Sequence, residues 1–208
     1  MNLNSLLARA DIWRGRETSP QTTPHLSTGH PMLDERLGGG WPVGALTEIL
    51  VNQKGIGELR LLMPALAHLS QEYWQAWIAP PHIPYAPALA AAGIDLQRLV
   101  WVRTSGDDQT LWSLEQSLRS GVCGAVLGWP GRADNHALRR LQLAAEHGEA
   151  SGFLFRPRQE AHQPSPAAVR LELEHDAGGL TIHILKRRGG WAGAPITEIR
   201  DKRFEMRG

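Results

Sequence analysis

The stretch VNQKGIGELR (51–60) sets two glycines and a lysine directly after an apolar run, a composition that could wrap backbone amides around a phosphate. Phosphate loops of that kind need G-x-x-x-x-G-K-[ST], in which the lysine bridges phosphates and the hydroxyl holds magnesium. No such string occurs in the chain. Other chemistries have less to work with. The nine histidines form no H-x-x-x-H pair and no Cys/His cluster, so no metal is expected, and the absence of G-x-S-x-G removes the nucleophile elbow. The one cysteine, Cys123, cannot close an internal disulfide and lies in the apolar run VCGAVLGW, where a buried structural thiol is expected. Two segments set an aromatic beside cations: the N-terminal arm with Leu6, Leu7, Ile12, Trp13 and Arg14, and the C-terminal stretch Lys186, Arg187, Arg188, Gly189, Gly190 and Trp191. Such pairings suit protein hot spots and base stacking alike, so the first set is the partner-binding candidate and the second the DNA-binding candidate.

These residues must be held by elements that the hydrophobic pattern makes legible. β-type runs at 45–51, 75–79, 98–103, 123–129 and 152–156 alternate with helical patterns, which predicts a largely parallel sheet with crossover helices. Leu59, Leu62, Leu66 and Leu69 form one helical stripe, interrupted by Pro64, which should bend that helix. Leu111, Leu114 and Leu118 form a second after an Asp107 or Asp108 cap, and Leu138, Leu141 and Ala145 a third after Asn135. Residues 157–168 read as an exposed loop, and strict alternation over 169–186 predicts a β-hairpin, followed by a short strand near 196–199. The boundaries are an arm and linker at 1–25, with a short helix over 6–13, one α/β domain over 26–200, and a tail at 201–208. Trp74, Trp77, Trp101 and Trp129 are expected in the core.

Composition bounds the function. The 208 residues carry a net charge of +1, so attraction to nucleic acid is not a whole-chain property, although seven Lys/Arg face three Asp/Glu from Lys186 to the end. No apolar run is long enough to span a bilayer and no leader pattern is present, which predicts a cytoplasmic protein with no membrane partner.

The segment LSTGHPMLDERLGGGWPVGALTEIL (26–50), followed by AGIDLQRLVWVRTSGDDQTLWSLEQSLRSGVCGAVLGW (92–129), resembles the RecA family: a Ser-Thr-Gly turn, a Leu-Asp helix, a glycine-rich turn and a strand that leads into the phosphate loop. The resemblance implies a RecA-like core. Aligned on it, the last glycine, lysine and hydroxyl of the phosphate loop fall on Ile56, Gly57 and Glu58. Pro81 stands nearest the position of the water-activating glutamate, and Gly128 and Trp129 stand where an aspartate approaches magnesium. A degenerate loop of Lys54, Gly55, Ile56, Gly57 and Glu58 implies no nucleotide cofactor and no ATPase activity, because turnover needs positioning and charge compensation together.

Two narrower resemblances follow. Residues 59–85 and 125–157 are similar to SulA, the cell-division inhibitors of the SOS response, through the proline in the leucine-rich helix, the paired tryptophans and the Gly-Phe strand before Arg-Pro. The fuller leading segment (26–44), the hairpin and KRRGGWAG resemble ImuA, a family associated with translesion synthesis. The ImuA resemblance implies a non-catalytic adaptor that binds an ImuB-type inactive polymerase, RecA, an error-prone polymerase and DNA, with self-association in a RecA-like manner. It is the leading expectation from sequence. The SulA resemblance implies the alternative, division inhibition by capture of the tubulin-like FtsZ.

Overall fold

A fully buried strand organises the molecule: ALTEILV forms a strand without one exposed residue, and everything else is arranged on either side of it. The computed structural model describes residues 24–53, 55–176, 179–190 and 193–197. In chain order the strands are β1 (His25–Leu26), β2 (Trp41–Pro42), β3 (Ala45–Val51), β4 (Trp74–Ile78), β5 (Leu99–Val102), β6 (Cys123–Gly128), β7 (Ser151–Pro157), β8 (Val169–Asp176) and β9 (Gly179–Arg187). The helices are α1 (Pro31–Leu37), α2 (Glu58–Leu69), α3 (Ala86–Ala91), α4 (Asp107–Arg119) and α5 (Asn135–Gly148), with 3-10 turns at Leu96–Arg98 and Arg158–His162. β1 and β2 form a small antiparallel pair, and the main sheet runs β5-β4-β6-β7-β3-β8-β9. Every pairing in the main sheet is parallel except β8 with β9, which is the predicted hairpin. The protein is therefore α/β, with a mostly parallel sheet flanked by helices and an antiparallel hairpin at its C-terminal side.

Side chains alternate across the sheet and divide the core in two. Leu46, Val126 and Leu154 face Leu114, Leu118, Leu138 and Leu141 of α4 and α5. On the opposite face Ile49, Trp77, Leu127 and Phe153 meet Leu33 of α1 and Leu61, Leu62 and Leu66 of α2. The buried stripe of α2 is centred on Leu61, Leu62, Ala65 and Leu66, while Leu59 packs only partly buried against the core. Pro64 stands inside α2 without ending it. At α4 the cap position is Gly106 rather than an aspartate, and Asp107 instead accepts the Gly131 amide at 2.9 Å, tying the start of the helix to the turn after β6.

The leading segment is fastened into this core. Asp34 accepts the Thr28 amide and the Ser27 hydroxyl, each at 2.7 Å, so one carboxylate shapes the Ser-Thr-Gly turn. Gly29 sits at φ 79°, and a Cβ there would lie 2.4 Å from the Pro64 Cβ, so only glycine lets the turn press on α2. Trp41 is fully buried and meets Phe153 edge-on at 5.5 Å between centroids. The N-terminal arm and the C-terminal tail lie outside the described residues.

Candidate functional site

In sheets of this kind ligands gather beyond the carboxyl ends of the strands, and two concavities lie there. The first is a cleft of about 140 Å³ at the ends of β3, β6 and β7, bordered by Asn52, Glu58, Trp129, Pro130, Phe155 and Arg156. Here the degenerate loop closes on itself. The Glu58 carboxylate accepts the Gly55 amide at 2.7 Å and the Gly57 amide at 3.2 Å, and the side chain is buried at the start of α2. The loop amides that a phosphate would need are thus occupied by the chain's own carboxylate. A bound phosphate would have to displace that carboxylate and then sit beside its negative charge. Trp129 stacks on Phe155 at 4.6 Å with an interplanar angle of 8°, which makes one wall flat and apolar. Lys54 lies outside the described residues.

Behind this cleft lies a buried charge cluster that sequence reasoning missed. Glu48 of β3, with no exposed surface, accepts Arg156 of β7 at 2.5 Å on one oxygen and Arg170 of β8 at 2.7 Å on the other. Arg156 also reaches the Ala133 carbonyl and Glu160, and Arg170 reaches the carbonyls of Glu160, Ala161 and Gln163. The cluster clamps the loop after β7 onto the sheet. Its partners lie far apart in the chain, so no local spacing could have revealed it.

The second concavity is a shallow notch of about 230 Å³ at the ends of β4 and β5, lined by Pro80, Pro81, Ile83, Trp101, Arg103 and Thr104. β5 is the outermost strand, which explains why Trp101 is 37% exposed, whereas Trp74 is 45% exposed because it is the first residue of β4, beside a register shift in the pairing with β6. The expectation that both pack in the core is corrected: only Trp77 and Trp129 of that group are buried, because Trp101 lies on the edge strand and Trp74 at a strand start. Ile83 and Tyr85 are 70% and 71% exposed in the turn that follows β4. Ala79 holds a positive φ of 54°, a conformation that costs a non-glycine residue roughly 1–2 kcal/mol and sets the course of the turn. The signal for this site was present in sequence as PPHIPY, whose apolar residues follow neither helical nor strand periodicity.

The remaining candidates are placed as follows. The arm residues Leu6, Leu7, Ile12, Trp13 and Arg14, and Trp191, lie outside the described residues. Lys186 donates to the Ser165 carbonyl at 2.8 Å; burial first, then the nearby positive charges of Arg170 and Arg188, lowers its pKa. Arg187 donates to the Arg36 carbonyl at 2.7 Å, and Arg188 stands 3.8 Å from Glu146. Gly189 takes a positive φ of 76° in the turn after β9. Cys123 is half-buried, and burial pushes its thiol pKa up against an opposing hydrogen bond with Ser120, as suits a structural thiol.

Residues 44–152, more than half of the chain, match the family model described as cell division inhibitor SulA. The chain belongs to the SulA family. Proteins named cell division inhibitor SulA align with it in Edwardsiella piscicida at 34% identity over 100 residues, 48% of this chain and 60% of that relative. The same name attaches to relatives in Klebsiella aerogenes, at 32% over 125 residues, 59% of this chain and 69% of the relative, and in Yersinia enterocolitica, at 30% over 143 residues, 66% and 84%. The family is described as an inhibitor of cell division, and in this chain the loop amides are engaged by Glu58. No helix among the described residues is long and apolar enough to cross a membrane.

Membership in the SulA family overturns the ImuA expectation, and with it the adaptor role and the partners ImuB, RecA and an error-prone polymerase. The features behind that expectation were the leading segment and the hairpin, and the structure shows why they misled. Leu26, Leu33, Leu37 and Trp41 fill the core, and β8 and β9 extend the sheet. Both segments enlarge the fold and lie almost wholly outside residues 44–152, which carry the family match.

Proposed function

We propose that the chain arrests cell division by capturing FtsZ through the edge of its sheet, acting by binding alone. Membership in the SulA family carries this reading. The geometry supports it: the loop amides that nucleotide chemistry would need are taken by Glu58, while Trp101 on the edge strand β5 and Ile83 and Tyr85 in the turn after β4 present large apolar groups to solvent. Exposed aromatic surface of this kind belongs to a partner rather than to the fold. A RecA-like ancestry of the core is supported by the order of turn, helix, β3, loop and α2. The arm at 1–25, with Leu6, Leu7, Ile12, Trp13 and Arg14, is proposed as a second, tethered contact to the same partner.

Purified chain added to FtsZ and GTP should abolish sedimentable polymer at near-equimolar ratio, and its expression in a growing rod-shaped bacterium should give filaments. Normal polymerisation at a several-fold excess, together with normal septation, would refute the proposal.

A further inference from the structure

The notch beside β5 has the composition of a hot spot and one uncompensated charge. Trp, Tyr and Arg are the residue types that dominate binding energy at protein interfaces, and here Trp101 and Arg103 line the notch, with Tyr85 exposed two residues beyond its Ile83. The Arg103 guanidinium lies over the Trp101 ring, 5.5 Å from its centroid, and makes no ion pair with a carboxylate among the described residues. The nearest acid in sequence on the following helix, Asp107, is already engaged by the Gly131 amide. Arg156, Arg158, Arg170 and Arg187, which border the sheet, each have a carboxylate or carbonyl partner.

We propose that the notch formed by Pro80, Pro81, Ile83, Trp101, Arg103 and Thr104 is the specificity pocket for an acidic side chain of the captured protein, carried on an apolar segment that lies along β5. This deepens the proposed function and rests on it. A carboxylate seated there would pair with the guanidinium in the plane that its stacking on Trp101 fixes, so little of the arginine's freedom is lost on binding. Ile83 and the prolines border the pair, and an apolar partner segment seated on them would exclude water from it, which strengthens it relative to an exposed one. The strained turn at Ala79 holds Pro80 and Pro81 against the strand end before any partner arrives. Nucleic acid is the weaker fit. A strand of phosphates needs several cations in a row, whereas the notch offers one arginine, and the carboxylates of Asp107 and Asp108 follow within five residues of it. At about 230 Å³ the space also falls short of the ~300–1,000 Å³ typical of small-molecule sites.

The test measures binding of full-length FtsZ and, separately, of a fluorescent single-stranded 20-mer to wild type, Arg103→Glu, Arg103→Gln and Arg103→Lys, with a thermal melt of each. Arg103 is exposed, so all four should melt together. Arg103→Glu should weaken FtsZ binding at least tenfold, Arg103→Gln less, and Arg103→Lys should keep the salt dependence while losing part of the affinity. Should Arg103→Glu melt early, Arg103→Gln carries the comparison. FtsZ binding by wild type that no variant alters would overturn the pocket and leave the proposed function standing. Loss of oligonucleotide binding with FtsZ binding intact would assign the notch to nucleic acid and overturn it as well. Failure of wild type to bind FtsZ would refute the proposed function and the pocket with it.

Discussion

At the scale of single residues, two carboxylates show how a side chain's partner decides its meaning. Burial would push the Asp34 pKa up, but hydrogen bonds from Ser27 and Thr28 outweigh it and hold the group below its ordinary value. A lowered pKa stabilises the fold above the unfolded-state value, and that stability is lost as pH falls through the folded-state value. Asp34→Asn should therefore cost on the order of 1 kcal/mol at pH 7, and its stability should fall less than wild type's between about pH 5 and 3; parallel urea titrations across that range check both. Glu58 was legible as the wrong charge for a phosphate loop, but not as the group that closes it. The reason is geometric: the bonds to Gly55 and Gly57 depend on backbone turning back on itself, with Gly57 at φ 109°. Glu58→Ala should free two amides and lower stability by roughly 1–2 kcal/mol. It should gain no affinity for ATP, since neither the lysine nor the hydroxyl returns; calorimetry with ATP and magnesium would contradict this by showing micromolar binding.

At the scale of elements, the main-sheet strands and the three long helices were legible because each carries its own period, whereas β1, β2 and α3 are too short to show one. β3 occupies 45–51 as expected, and β6 and β7 differ from expectation by one residue at their ends. The loop over 157–168 was expected to be irregular, yet it contains a 3-10 turn whose carbonyls receive Arg170. Arg170 of β8 and Arg156 of β7 hold that turn together, and of the two only the Arg156–Glu160 pair is close enough in sequence to be seen locally. Removing Glu48 should strand two buried guanidinium groups, so Glu48→Gln should cost about 3–5 kcal/mol. Replacing Glu48, Arg156 and Arg170 together by leucine, methionine and methionine should cost far less, because the desolvation of the charges disappears along with their attraction. Denaturant melts of the two variants check the order. The basic end of β9 poses a related question. As a DNA contact, Lys186, Arg187 and Arg188 must give up bonds to Ser165, Arg36 and Glu146. If the contact exists, alanine at all three should flatten the salt dependence of DNA binding by up to about three phosphates. The anchored geometry favours the other outcome, a lower melting temperature with an unchanged salt slope.

At the scale of the whole molecule, the tryptophans separate the part of the sequence that builds the fold from the part left for a partner. Composition alone made them equivalent, and periodicity assigned Trp101 to the core because β5 reads as an apolar strand. What periodicity cannot convey is strand order: the same run would be buried at the centre of the sheet and is half-open at its edge, and order is fixed by crossovers that no local window contains. Trp41 is the opposite case, fully buried against Phe153 although it directly follows a glycine-rich turn. The two positions should therefore behave in opposite ways. Trp41→Ala should destabilise the protein by about 3–5 kcal/mol, since it empties a large volume beneath β7, while whatever remains folded should keep the FtsZ binding proposed for the wild type. Trp101→Ala should leave the melt within a few degrees of wild type and cost on the order of 2 kcal/mol in FtsZ binding, because it removes both apolar contact and the surface that orients Arg103. Thermal melts and binding titrations on the two variants, corrected for folded fraction, give four numbers. If Trp101→Ala melts as early as Trp41→Ala and its folded fraction binds normally, then β5 belongs to the fold alone and the sheet edge is not where the partner sits.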